Sequence, residues 1–253
     1  MTSRTSVGAL LVASLLTGHA ASEAQTGPAP TASRLPPDVL ALACAPRADA
    51  MAPETPLRVT GGQDTIVRST YHPGDLITIN AGSEHGIQVG DEYYTRRTER
   101  TRQAAKGTSN AVRTSGWIRI YAVDDEMSLA TITHACDVIE VNDRLEPFAL
   151  PTPLVFALDQ RKPERDNYGH VMTGADHRTT FAKGDFLILD RGTTQGVTPG
   201  SQFVIYRNKE ADGNFLFDLG EAVAVAVTAD AATLQVIVSR GAIQTGDLVA
   251  IRK

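Results

Sequence analysis

One pattern, written twice, limits what this chain can fold into. Residues 74 to 97 read GDLITINAGSEHGIQVGDEYYTRR, and residues 184 to 207 read GDFLILDRGTTQGVTPGSQFVIYR. Gly74, Asp75, Gly82, Gly86, Gly90 and Arg97 fall on Gly184, Asp185, Gly192, Gly196, Gly200 and Arg207 without a gap. Each copy predicts a short strand, a turn punctuated by glycines, and a second strand. Glycines at four-residue spacing suit a loop that visits φ > 0 more than once. The apolar residue between the last two, Ile87 or Val197, is expected to plug the end of a barrel.

The likeness extends both ways. Upstream, Gly62 and Asp64 stand over Gly174 and Asp176, and the runs LITIN and FLILD predict central strands. Downstream, Gly116, Val123, Ile139, Asp143 and Leu145 match Gly220, Val227, Ile243, Asp247 and Val249. WIRIYAV and EAVAVAV alternate as strands, and DDEMS and DAA read as hairpin turns. Asn142 stands where the second copy has Gly246, and asparagine is the non-glycine residue that best tolerates the left-handed conformation. The expected fold is all-β: two tandem small antiparallel barrels, SH3-like or OB-like in size, with a two-layer sandwich as the alternative.

The rest of the chain is leader, arm and linker. Residues 1–24 read as a secretory signal peptide, with Arg4 ahead of the apolar run VGALLVASLL and small residues at the cleavage site. The run is too short for a membrane span. A bacterial periplasmic or secreted location follows, with no transmembrane segment after cleavage. Residues 25–56 form a flexible N-terminal arm rich in Pro, Ala and Thr, within which DVLALACA allows a short helix or an extended piece. The first repeat spans 57–148, a linker 149–167, and the second repeat 168–253. Within the linker, LVFAL is a candidate strand. Cys44 and Cys136 are the only cysteines, and in an oxidising compartment they predict a disulfide that staples the arm to the first repeat.

The order of glycine-aspartate, apolar strand, three spaced glycines, a strand ending in Tyr/Arg, hairpin and I-x3-D resembles the C-terminal β-domains of bacterial envelope proteins that often carry LysM peptidoglycan-binding modules. It is also similar to the C-terminal domain of flagellar assembly protein T. The resemblance covers both repeats. It implies non-enzymatic work in the envelope, as a scaffold or an assembly or binding module.

The chemistry-bearing residues agree with that expectation. A net charge of −5 excludes an electrostatic nucleic-acid binder. Asp124, Asp125, Asp75, Asp91 and Asp143 stand at turns, where aspartate binds local backbone, and no G-x-S-x-G elbow or HExxH motif occurs. His134 lies two residues from Cys136, yet that strand alone supplies no third ligand. No cofactor and no metal are therefore expected. A glycan- or peptidoglycan-binding alternative requires an exposed aromatic ledge, for which Trp117, Tyr93, Tyr94 and Tyr121 are the candidates. A hydrolase would require two close carboxylates in a pocket.

The copies differ in their decoration. The first hairpin carries Arg96, Arg97, Arg100, Arg102, Lys106 and Arg113, whereas its counterpart reads NKEADGNFLFDL, acidic with Phe215 and Phe217. These residues are the candidate contacts for an envelope protein or an anionic envelope surface, with peptidoglycan as a further candidate. Gly82, Gly86, Gly90, Gly192, Gly196 and Gly200 are assigned to backbone geometry instead.

Overall fold

The structure is a computed structural model, and it describes residues 25–26, 35–48, 54–103, 107–164, 167–174, 178–208 and 215–253. Residues 1–24, expected to be a signal peptide, lie outside them. Strand β1 (Gln25–Thr26), helix α1 (Pro37–Ala43) and strand β2 (Arg47–Ala48) make up the arm. Pro37 opens α1 at its first position, where a missing N–H costs nothing. The first repeat comprises β3 (Val59–Gly62), β4 (Thr70–Tyr71), β5 (Leu76–Ile79), β6 (Glu92–Gln103), β7 (Gly107–Val123), β8 (Ser128–Ala135), β9 (Ile139–Glu140) and β10 (Arg144–Pro147). The second comprises β11 (Gly169–Gly174), β12 (Thr180–Phe181), β13 (Phe186–Leu189), β14 (Gln202–Asn208), β15 (Leu216–Val227), β16 (Ala232–Ser239), β17 (Ile243–Gln244) and β18 (Leu248–Ile251).

In the second repeat, β11-β13-β16-β15-β14-β18 close into a six-stranded antiparallel barrel, with β12–β17 as a small satellite ladder. In the first, the same order runs β10-β6-β7-β8-β5-β3 as an open sheet, with β4–β9 as the satellite. Its two edges meet through an antiparallel bridge, Arg58↔Arg144, beside which the Asn142 N–H donates to the Val59 carbonyl. Registers correspond residue for residue: Gly116 faces Ala135 as Gly220 faces Ser239, and Ala122 faces Leu129 as Ala226 faces Thr233.

The repeated glycines have two physical reasons. Gly86 and Gly196 sit at φ +79° and +80°, and Gly90 and Gly200 at +96° and +88°, where a Cβ is strained. Gly82 and Gly192 are different. A Cβ there would lie 2.0 Å from the Asp124 carbonyl oxygen and 2.4 Å from that of Thr228, so two backbones cross at contact distance. Ser83 and Glu84 donate their N–H groups across that crossing to Asp124 and Asp125, as Thr193 and Thr194 do to Thr228 and Ala229. Asn142, at φ +75°, occupies the left-handed position of Gly246. Ile87 and Val197 are buried in their respective cores, as expected of end plugs.

The two LITI/FLIL strands are central, but their burial differs. In β5, Ile77 and Ile79 point into the core while Leu76 and Thr78 are half-exposed. In β13 all four residues are buried, because its outer face is covered. Ile188, Met172 and Ala231 pack there against Ala111 of β7, and Thr233 Oγ1 donates to the Pro46 carbonyl of the arm. The arm and the long hairpin of the first repeat therefore sit across the outside of the second barrel. LVFAL adopts no strand; Val155 and Leu158 are exposed in an extended linker.

Candidate functional site

Charged residues that recur in both repeats are built into two clasps. Asp143, at the turn into β10, is 1% exposed. It accepts Arg97 Nε at 2.8 Å and the Glu140 N–H at 3.0 Å, and Arg97 also donates to the Val138 carbonyl at 2.8 Å. The second copy repeats every contact: Asp247 accepts Arg207 Nε at 2.8 Å and the Gln244 N–H at 2.6 Å, and Arg207 also donates to the Ala242 carbonyl at 2.8 Å. This clasp ties the second strand of each glycine module to the closing turn. A second clasp joins Asp75 to the His72 N–H and Arg68, and Asp185 to the Ala182 N–H and Arg178. The His72 N–H, and then Arg68, hold the Asp75 carboxyl below its usual range. These carboxylates serve backbone geometry, as turn aspartates do.

The basic hairpin divides in two. Its base is neutralised by the chain's own acids. Arg96 is buried, donates to Glu146 at 3.0 Å and to Thr114, and lies over the Tyr94 ring at 4.2 Å. Burial, and then the neighbouring Arg47 charge, lower its pKa. Arg97 is held by Asp143 and by Glu140 at 2.5 Å; burial opposes its charge, but these two acids raise its pKa on balance. Arg113 pairs with Glu99 and Asp137. Arg100 and Arg102 lie further out on the β6–β7 ribbon, which pairs as far as Gln103↔Gly107; their side chains, and Lys106, lie outside the described residues. On the counterpart hairpin, Phe215 and Phe217 are 68% and 41% exposed.

Of the four residues of the expected aromatic ledge, Tyr93 and Tyr121 are half-buried and the other two are covered. Trp117 and Tyr94 are 4% and 5% exposed. They are buried with Ala43 beneath α1, packed against Leu40 and Phe148. The reason is legible only in three dimensions, since α1 comes from a part of the chain with linker-like composition.

The same docking makes a juxtaposition that the sequence does not announce. Cys44 and Cys136 form a disulfide, with Cα atoms 5.5 Å apart. Their sulfurs and a ring nitrogen of His134 lie within 4.8 Å of one another. His134 stacks on Trp117 at 4.5 Å, and burial lowers its pKa. A crevice of about 200 Å³, lined by Cys44, Cys136, Thr114, Asp185 and Phe186 among others, opens onto the disulfide between the two repeats. The spacing of His134 and Cys136 was the available signal. The third group comes from the arm, 92 residues away from Cys136.

A further crevice, of about 880 Å³, lies against the first glycine loop and is lined by Ser83, Ile87, Val89, Val123, Asp125 and Met127 among others. Val123 and Ala122, which also line it, pair with β1. Among the described residues no helix is long and apolar enough to cross a membrane. No protein-family model matches the chain, and no curated protein matches it.

Proposed function

We propose that this protein is a non-catalytic, exported scaffold or binding module of the bacterial cell envelope, built on two tandem small barrels. The first barrel is brought to closure between β3 and β10. The observation that carries the reading is the unequal use of one duplicated frame. Both copies consume their matched acids and arginines in the same backbone clasps. Only the first extends its hairpin, to 12 and 17 residues in β6 and β7, against 7 and 12 in β14 and β15. The ribbon is held at Arg96 and again at Ala111, and beyond them it carries Arg100 and Arg102 outward. The disulfide supports export, since such bonds persist in oxidising compartments.

The contact chemistry lies at the outer ribbon: Arg100, Arg102 and Lys106 toward an envelope protein or an anionic surface, with Phe215 and Phe217 as a separate apolar contact. Rim charges of this kind set the rate and salt dependence of association. The test is fractionation of cells expressing an Arg100→Gln/Arg102→Gln/Lys106→Gln variant, with photo-crosslinking from position 103. The variant is expected to leave the envelope fraction at low salt and to lose the wild-type crosslinks. Unchanged fractionation and crosslinks would remove the ribbon from the binding surface. Arg96, Arg97 and Arg113 are kept, because their loss would damage the fold.

A further inference from the structure

The crevice between the repeats is lined by Cys44 and Cys136, and His134 beside them completes a set with the chemistry of a soft-metal site. We infer that the Cys44–Cys136 pair with His134 is a redox-gated site for a thiophilic cation of the Zn²⁺ class. In the oxidised protein the two sulfurs are bonded to each other and the site is closed. Reduction by a dithiol opens it: the Cys44–Cys136 bond breaks, the donor dithiol becomes a disulfide, and two thiols form. Metal binding then displaces the two thiol protons, and two thiolates and one imidazole nitrogen become ligands.

Three observations carry this. First, the ligand atoms lie within 4.8 Å of one another, so a common ion with bond lengths of about 2.0–2.3 Å, which needs them about 3.5–3.8 Å apart, requires only that the sulfur–sulfur bond break and the side chains adjust. Second, the two cysteines are held together by packing that does not need the bond. Leu40 and Ala43 of α1 are seated on Trp117 and Tyr94. Downstream of Cys44, β2 pairs with Ala111 and Val112, and the Pro46 carbonyl accepts Thr233 Oγ1. Reduction therefore leaves Cys44 opposite Cys136 and avoids the ordering cost of an unformed site. Third, the His134 ring is fixed by its stack on Trp117, and the crevice gives a reductant and a cation a way in. Three protein ligands leave a fourth position for water or for a partner's side chain.

The experiment is a titration of the full mature chain, reduced and oxidised, with Co²⁺ followed by absorbance, then displacement with Zn²⁺. The reduced protein is expected to develop thiolate-to-cobalt absorption that Zn²⁺ abolishes, and the oxidised protein none. His134→Ala is expected to weaken Zn²⁺ binding by at least about tenfold, by comparison with the effect of removing even a group that only supports a ligand. Cys44→Ser should abolish the thiolate band of a two-sulfur site, and His72→Ala should change nothing. Trp117 fluorescence reports the fold in each state. A reduced protein that unfolds, or that binds no more tightly than the oxidised form, overturns the inference. So does a His134→Ala variant with wild-type affinity.

Discussion

Replacing Asp143 with alanine strikes the clasp where it is most enclosed. The carboxylate loses Arg97 Nε at 2.8 Å, a second Arg97 nitrogen at 3.3 Å and the Glu140 N–H at 3.0 Å. A buried N–H left without an acceptor costs about 1–3 kcal/mol. Stranding a buried charge costs about 3–5 kcal/mol, but Arg97 keeps Glu140 at 2.5 Å and the Val138 carbonyl at 2.8 Å. Its share is therefore well below that range, and the total comes to about 3 kcal/mol. Asp143→Asn retains an oxygen for the Glu140 N–H and should lose about half as much. The assay is urea unfolding with the disulfide intact, followed by the single tryptophan, Trp117 of the first repeat. A loss below about 1 kcal/mol for the alanine variant, or equal losses for both, would refute the clasp as an energetic feature.

Other perturbations separate the causes argued above. Gly82→Ala places a Cβ against the Asp124 carbonyl and should cost about 3 kcal/mol or more, whereas Gly86→Ala meets open space and should cost about 1–2 kcal/mol for its left-handed backbone; thermal denaturation orders the two. Because the folded pKa of Asp75 is depressed, the stability it contributes is full above its ordinary value of 3.8 and is lost as pH falls through the lower folded value. Asp75→Asn should flatten that acid limb in a pH series of unfolding midpoints. Ala111→Glu puts a charge into the seam between the repeats without entering either core. It should speed proteolysis in residues 149–167 and split unfolding into two transitions, and a single unchanged transition would show that the seam carries little energy.

How much of this was legible can be judged from particular residues. The duplicated glycines and the strand alternation specify local backbone, because left-handed turns and period-two burial depend on residue type and spacing alone. Hence the strands, the hairpins, the turn at Asn142 and the plugs at Ile87 and Val197 were readable in the chain. The disulfide was readable too, since only two cysteines are present. What spacing cannot carry is the docking of distant pieces. Trp117 and Tyr94 look like surface candidates until α1 is laid over them. Arg96, Arg97 and Arg113 look like a free basic face until Glu146 of β10 and the turn residues Asp143 and Asp137 meet them. Cys44 becomes His134's neighbour only when the arm folds back.

The sequence by itself thus determined an all-β chain with two copies of one module, since those features follow from periodicity and backbone sterics. Only the tertiary structure decided which charges are spent inside, which aromatics are covered, and that Cys44, His134 and Cys136 come together. Those outcomes depend on contacts between residues far apart in the chain, and on the burial and ion pairing that such contacts create.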